Sequence, residues 1–200
     1  MMPPLFVSYY TSDFGYEKEA KALLSSAKAL DLPIEIEPLS SRGSWEKNCS
    51  IKPSFLLKKL EESHRPLVWI DADARLLKPP LLFDSIKAEL AFRMHTHLPL
   101  DHPSKVLTGT LYLKPTEKVK RLLICWEKLC KKNGGWDQIA FKEALLKENP
   151  SNFALLPEAY CAIFDKTSLL KEEIVILHTQ ASRLLKKIVD QEVITSFLHG

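Results

Sequence analysis

Leu67, Val68, Trp69 and Ile70 run together without a polar break and are followed at once by Asp71 and Asp73, in the stretch PLVWIDADARLLKPP (66–80). Four consecutive apolar residues closed by acids predict a short strand covered on both faces, which belongs in the middle of a layered sheet and not at a solvated edge. Two carboxylates placed together at its exit repel each other and are costly to bury. Something positive is expected between them, either a cation or basic side chains such as Arg75 or Lys78.

The flanking segments alternate between strand and helix periods. PLFVSYYT (4–11) reads as a first buried strand and EKEAKALLSSAKAL (17–30) as a helix with its apolar residues on one face. PIEIEPL (33–39) alternates in period two, SSRGSWEKN reads as a loop, and KPSFLLKKLEES (52–63) reads as a helix with Pro53 in its first turn. Beyond the acidic pair, PPLLFDSI gives a turn and short helix, AELAFRMHTH and KVLTGTLYLKP give strands, and 116–132 gives a long helix. A loop and helix follow at 134–149, then NFALLPEAYCAIF as a strand with irregular chain, EEIVILHTQ as a late strand, and an amphipathic helix over 181–198. This order predicts an α/β fold with a mainly parallel twisted sheet flanked by helices. With 200 residues and no repeat or linker, one domain spanning 1–200 is expected.

Composition narrows the function classes. Apolar residues make up 46% and charged residues 26%, with a net charge of +3 and a pI of about 8.6. That charge is low for a nucleic-acid binder, and the basic stretch at 114–132 has the period of a solvated helix face, so no nucleic-acid partner is expected. The four cysteines, Cys49, Cys125, Cys130 and Cys161, form no C-x-x-C pair and read as reduced thiols. The N-terminus lacks the pattern of an export signal and no long apolar run is present, which makes cytoplasmic residence the expectation.

In open α/β sheets, ligands gather outside the carboxyl ends of strands, where Asp71 falls. If the chain stays extended, Asp73 points to the same side, and the two carboxylates can share one hard divalent cation. An Asp turn that caps a helix or pairs with Arg75 or Lys78 remains the plain alternative.

The stretch resembles the D-x-D motif of nucleotide-sugar glycosyltransferases of the GT-A fold. Four other segments follow in that family's order: the opening strand, helix and strand through residue 39, VLTGTLYLKP with its glycine, WDQIAFKEAL, and VILHTQASR. The chain is most similar to small bacterial nucleotide-diphospho-sugar transferase-like proteins and to the glycogenin-like retaining group. The resemblance implies a GT-A-like domain with Mn²⁺ or Mg²⁺ as cofactor and a nucleoside-diphosphate sugar, UDP favoured, as donor. It implies Asp71, Asp73 and His178 as metal ligands and Tyr9, Tyr10, Thr11 and Ser12 around base and ribose. Lys52, Ser182 and Arg183 are implied at the sugar or diphosphate. Glycogenin-like relatives carry a Gly and a Lys after the metal-binding His; here TQASRLLKK follows, so Ser182, Arg183 or Lys186 would supply the charge.

Asp137 and Gln138 are implied near the reacting carbon, with retention of configuration favoured. Gln138 would then polarise developing charge and Asp137 hold sugar hydroxyls; with inversion, Asp137 would be the base. A helix N-cap is the plain reading of Asp137, an ordinary exposed lysine that of Lys52, and a core histidine that of His178. The acceptor is left open among glycan, lipid and protein. The helix over 181–198 is left to dock on its own domain, to dimerise, or to touch a membrane surface.

Three other readings compete. A haloacid-dehalogenase-like phosphatase also opens with a strand and D-x-D, but wants Thr or Val where Arg75 stands. A non-catalytic nucleotide-binding module on the same fold is the second. MHTHLPLDHP, with His95, His97, Asp101 and His102, is similar to the H-x-H-x-D-H of zinc hydrolases, but its spacing is too long and Pro99 interrupts it; an acceptor-side loop is preferred.

Overall fold

The structure, a computed structural model, describes residues 3–12, 15–99, 101–133 and 136–181. A six-stranded sheet carries the fold, in the order β2-β1-β3-β6-β5-β7. Its strands are β1 (Leu5–Thr11), β2 (Ile34–Leu39), β3 (Leu67–Ile70), β5 (Leu90–Met94), β6 (Val106–Leu113) and β7 (Phe153–Leu155). The β1–β2, β1–β3 and β5–β7 pairs are parallel, and β6 runs antiparallel to both its neighbours, so the sheet is mixed with parallel pairs in the majority.

The continuous apolar strands follow from cover on both faces. Leu5, Val7, Leu67, Trp69, Leu111 and Leu113 meet helices α3 (Lys52–Ser63), α5 (Glu117–Asn133) and α6 (Asp137–Glu148) in one core cluster. The alternate residues Phe6, Val68, Ile70 and Tyr112 pack on the opposite side against α1 (Tyr16–Lys28) and α4 (Leu82–Ser85). Pro53 sits in the first turn of α3, as its position predicts, where its missing N–H leaves no helix bond broken.

A second, three-stranded sheet, β4-β9-β8, is built from β4 (Ala74–Leu76), β8 (Ala162–Ile163) and β9 (Ile176–His178). It corrects two expectations. Residues 74–76 form a strand that the sequence reading did not contain, and the late strand is shorter than EEIVILHTQ and belongs to this sheet. A third correction concerns SSRGSWEKN, which ends in a short helix, α2 (Trp45–Cys49), because Ser44 accepts a bond from the Lys47 N–H and caps it. The helix expected over 181–198 lies, after Ala181, outside the described residues. Among the described residues no helix is long and apolar enough to cross a membrane.

Candidate active site

The carboxyl ends of β1, β3 and β5 open along one edge of the large sheet, and a cleft of about 430 Å³ runs across them. That is within the ordinary size of ligand sites. Asp71 follows β3 directly. The chain does not stay extended after it: the Ala74 N–H bonds the Asp71 carbonyl at 3.0 Å, closing a turn that contains Asp73. The two carboxylates converge through this turn, which corrects the extended-chain premise while keeping its consequence.

β4 leaves the turn and pairs antiparallel with β9, opposing Ala74 to His178. The Thr179 N–H and hydroxyl both donate to the Asp73 carbonyl, at 3.1 and 2.9 Å, and the Ala181 N–H donates to Asp73 Oδ2 at 2.9 Å. Asp71, Asp73 and His178 each bring a ligand atom to within 4.8 Å of one another, and they are the one such group of three among the described residues. His178 Nε2 is bonded to Thr110 Oγ1 at 2.9 Å, so Nδ1 is the ring nitrogen facing Asp73, 4.0 Å from its Oδ1. Bonding of the outer nitrogen fixes the ring orientation as it does in metal-ligating histidines. Gly109 makes room for the group: a Cβ there would stand 2.9 Å from His178 Cε1 and 3.4 Å from Asp71 Oδ2. Two carboxylates and an imidazole match Mn²⁺ and, less closely, Mg²⁺.

Burial and the neighbouring Asp71 push the Asp73 carboxyl up to about 6, the repulsion expected of paired acids. For His178, burial works to lower the pKa, but Cys161 and Asp71 beside it outweigh that and raise it.

Lys52 is buried, not an exposed lysine. Its ammonium lies 3.0 Å from Asp71 Oδ1 and 2.9 Å from Asp137 Oδ2, and 5.2 Å above the Trp69 ring. Burial disfavours the charged amine, but Asp137 and Asp71 hold it firmly protonated. The Trp69 indole N–H donates to the same Asp71 oxygen at 2.9 Å. The protein therefore supplies one positive group itself, and it is neither Arg75, which pairs with Glu19, nor Lys78.

Asp137 is the first helical residue of α6, not its N-cap, and makes no side-chain cap there. At 2% exposure it accepts instead from Lys52 and, at 3.1 Å, from the Thr108 hydroxyl. Gln138 is buried beside it and donates to the Pro103 carbonyl at 3.1 Å.

Tyr9, Tyr10 and Thr11 line the cleft, but Ser12 is exposed and does not. The Tyr9 hydroxyl donates to the Asn48 carbonyl at 2.8 Å, and Asn48 Nδ2 donates to Thr11 Oγ1 at 3.2 Å, so α2 is stitched to the end of β1. Ser182 and Arg183 lie outside the described residues. His95 reaches the cleft wall, whereas His97, Asp101 and His102 do not, and no zinc-hydrolase ligand set forms there among the described residues.

Sequence reasoning missed Tyr16, Trp45, Trp136 and Lys166, all on the cleft wall. The two tryptophan rings lie 6.3 Å apart. The available signal was a tryptophan inside each of two polar connecting segments, at SWEKN and GWDQ.

No protein-family model and no curated protein sequence matches the chain. Its backbone is similar to the crystal structure of a glycosyltransferase involved in the glycosylation of the major capsid of PBCV-1, with a TM-score of 0.70 over 90% of this chain and 95% of that one. At 9% sequence identity the likeness is one of fold, and the chain has a glycosyltransferase fold.

Proposed function

We propose that this chain is a divalent-cation-dependent glycosyltransferase that moves a sugar from a nucleoside diphosphate, UDP favoured, to an acceptor. The observation that carries this reading is the convergence of Asp71, Asp73 and His178, from two sheets, at the carboxyl edge of a glycosyltransferase fold. These three would hold Mn²⁺ or Mg²⁺, and the bound ion would supply Lewis-acid stabilisation of charge on the departing diphosphate.

The residues of the chain divide the remaining work. Tyr10, Thr11 and Tyr16 at the β1 end of the cleft suit the base and ribose. Lys52, beneath the acids, holds Asp71 and Asp137 in place and keeps a positive charge at the cleft, where a diphosphate or sugar oxygen would lie. Ser182 and Arg183 follow shortly after His178 in sequence and stay candidates for the diphosphate on that ground. The Asp137 carboxylate is already engaged by Lys52 and Thr108. That suits a group that fixes sugar hydroxyls better than a base that must take up and release a proton, and it favours retention, with Gln138 polarising developing charge.

Calorimetric titration of UDP with and without Mn²⁺ tests the reading. Metal-dependent binding is expected in the wild type and its loss in the Asp71→Ala/Asp73→Ala double variant; binding indifferent to both changes would refute the metal site. A screen of UDP- and GDP-sugars for donor hydrolysis then separates an enzyme from a nucleotide-binding module. Hydrolysis of p-nitrophenyl phosphate that depends on Asp71 would identify the phosphatase instead.

A further inference from the structure

The donor accounts for one end of the cleft. Sheet order puts the β1 terminus on one side of Asp71 and the β5 terminus on the other. At the β5 end the wall carries His95, Ser104, Trp136, Gln138 and Lys166, with Leu107, Cys161 and Ile163 as an apolar floor. Charge there is one-sided. Glu158 is paired with Arg93 at 3.1 Å, and the Lys105 and Lys142 ammonium groups are spent on backbone carbonyls. Lys166 is exposed on the cleft wall and forms no salt bridge among the described residues, while its chain neighbour Asp165 does not line the cleft. Burial is the main cause that lowers the His95 pKa, with Arg93, His97 and Lys166 adding to it against Glu158, so the ring favours its neutral form and serves as a hydrogen-bonding group beside the Lys166 cation.

The groups beside Lys166 suit a sugar. Trp136 keeps 37% of its surface exposed on this wall and offers an aromatic face on which the C–H face of a pyranose can pack. Gln138, bonded to the Pro103 carbonyl, and Ser104 line the same cleft and offer partners for ring hydroxyls.

We propose, resting on the glycosyl-transfer reading above, that the β5 end of the cleft is the acceptor subsite and takes a sugar bearing a carboxylate or a phosphate, held by Lys166 and His95. Neutral acceptors would meet the same aromatic face but leave the Lys166 ammonium without a partner.

The test uses the full chain with saturating UDP and Mn²⁺, titrated by calorimetry with glucuronate, glucose 6-phosphate and glucose. At least one anionic sugar is expected to bind about ten-fold tighter than glucose, the worth of one charge-assisted contact. Which of the two binds better distinguishes carboxylate from phosphate. The preference should weaken with added salt, shrink to within about two-fold of glucose in Lys166→Ala, and reverse in Lys166→Glu; the side chain is exposed, so these variants fold. Equal binding of all three sugars, or a preference that survives Lys166→Ala, would overturn the inference. So would competition between the anionic sugar and UDP, because the charge would then serve the donor. If UDP and Mn²⁺ themselves do not bind, the glycosyl-transfer reading fails and this one with it; if they bind and no preference is seen, this one falls alone.

Discussion

The two acids of the D-x-D motif belong to different parts of the molecule. Asp71 closes β3 of the six-stranded sheet and is held by Lys52, by Trp69 and, through its own N–H, by the Gly109 carbonyl. Asp73 belongs to the small sheet: its partners are Thr179 and Ala181, and its facing residue is His178 on β9. The large sheet is a deep apolar construction covered on both faces, whereas the small one consists of strands of two or three residues. The proposed metal group thus spans a half with a resident positive charge and a half, built on short strands, without one.

The sharpest way to break the half with the resident charge is Lys52→Met. It leaves Asp137 buried without its cation, and about 3–5 kcal/mol of stability should be lost in urea unfolding, the usual cost of stranding one member of a buried pair. Adding Asp137→Asn should recover most of it, because the stranded charge is then gone.

Truncating the two sheets in parallel comes next. Leu111→Ala in the large sheet should cost about 2–5 kcal/mol of global stability. Ile176→Ala in the small sheet, equally buried, should cost a similar amount and in addition remove metal-dependent UDP binding. Native-state hydrogen exchange should show β9 amides opening at lower free energy than those of β3.

Titration separates the halves as well. Because the Asp73 carboxyl sits at about 6 in the fold against an ordinary value near 3.8, the folded state holds its proton over that interval while the unfolded chain has released it. Its contribution to stability therefore falls as pH rises from about 4 to 6 and levels off above, by up to about 3 kcal/mol for two pKa units. Asp73→Asn should remove that fall, melting higher than the wild type at pH 7.5 in metal-free buffer while losing the stabilisation by Mn²⁺ and UDP. In the wild type, Mn²⁺ affinity should rise as pH passes upward through about 6, since the ion and the proton compete for one carboxylate.

The joint between the halves gives the smallest expected change in stability. Gly109→Ala pushes a methyl group against His178 and Asp71, costing about 1–3 kcal/mol. Its signature is a larger loss of Mn²⁺-dependent UDP affinity than of melting temperature.

The same division governs what could be read from the sequence. β1, α1, β2, α3 and β3 are legible because each carries a full period of apolar spacing or a continuous buried run. β4, β8 and β9 are not, since a strand of two or three residues holds at most one alternation and takes its conformation from its neighbours. Asp71, Asp73 and His178 are visible through motif order, but the turn that joins the acids is not. Lys52 was the hardest to place: a lysine opening a helix looks solvated, and only Asp71 and Asp137, distant in sequence, make its burial tolerable. Tyr16, Trp45, Trp136 and Lys166 sit in or beside connecting segments where no periodicity marks the inward side.

Lys52 also bears on how the protein can be handled. Structural metal domains unfold under a chelator because binding the ion supplies the free energy that folds them. Here an ammonium fixed at 2.9 Å from Asp137 and 3.0 Å from Asp71 gives the most deeply buried acid, Asp137, a counter-charge that is not an exchangeable ion. On the proposed function, EDTA should therefore abolish metal-dependent UDP binding without melting the fold, which a thermal melt with and without the chelator checks.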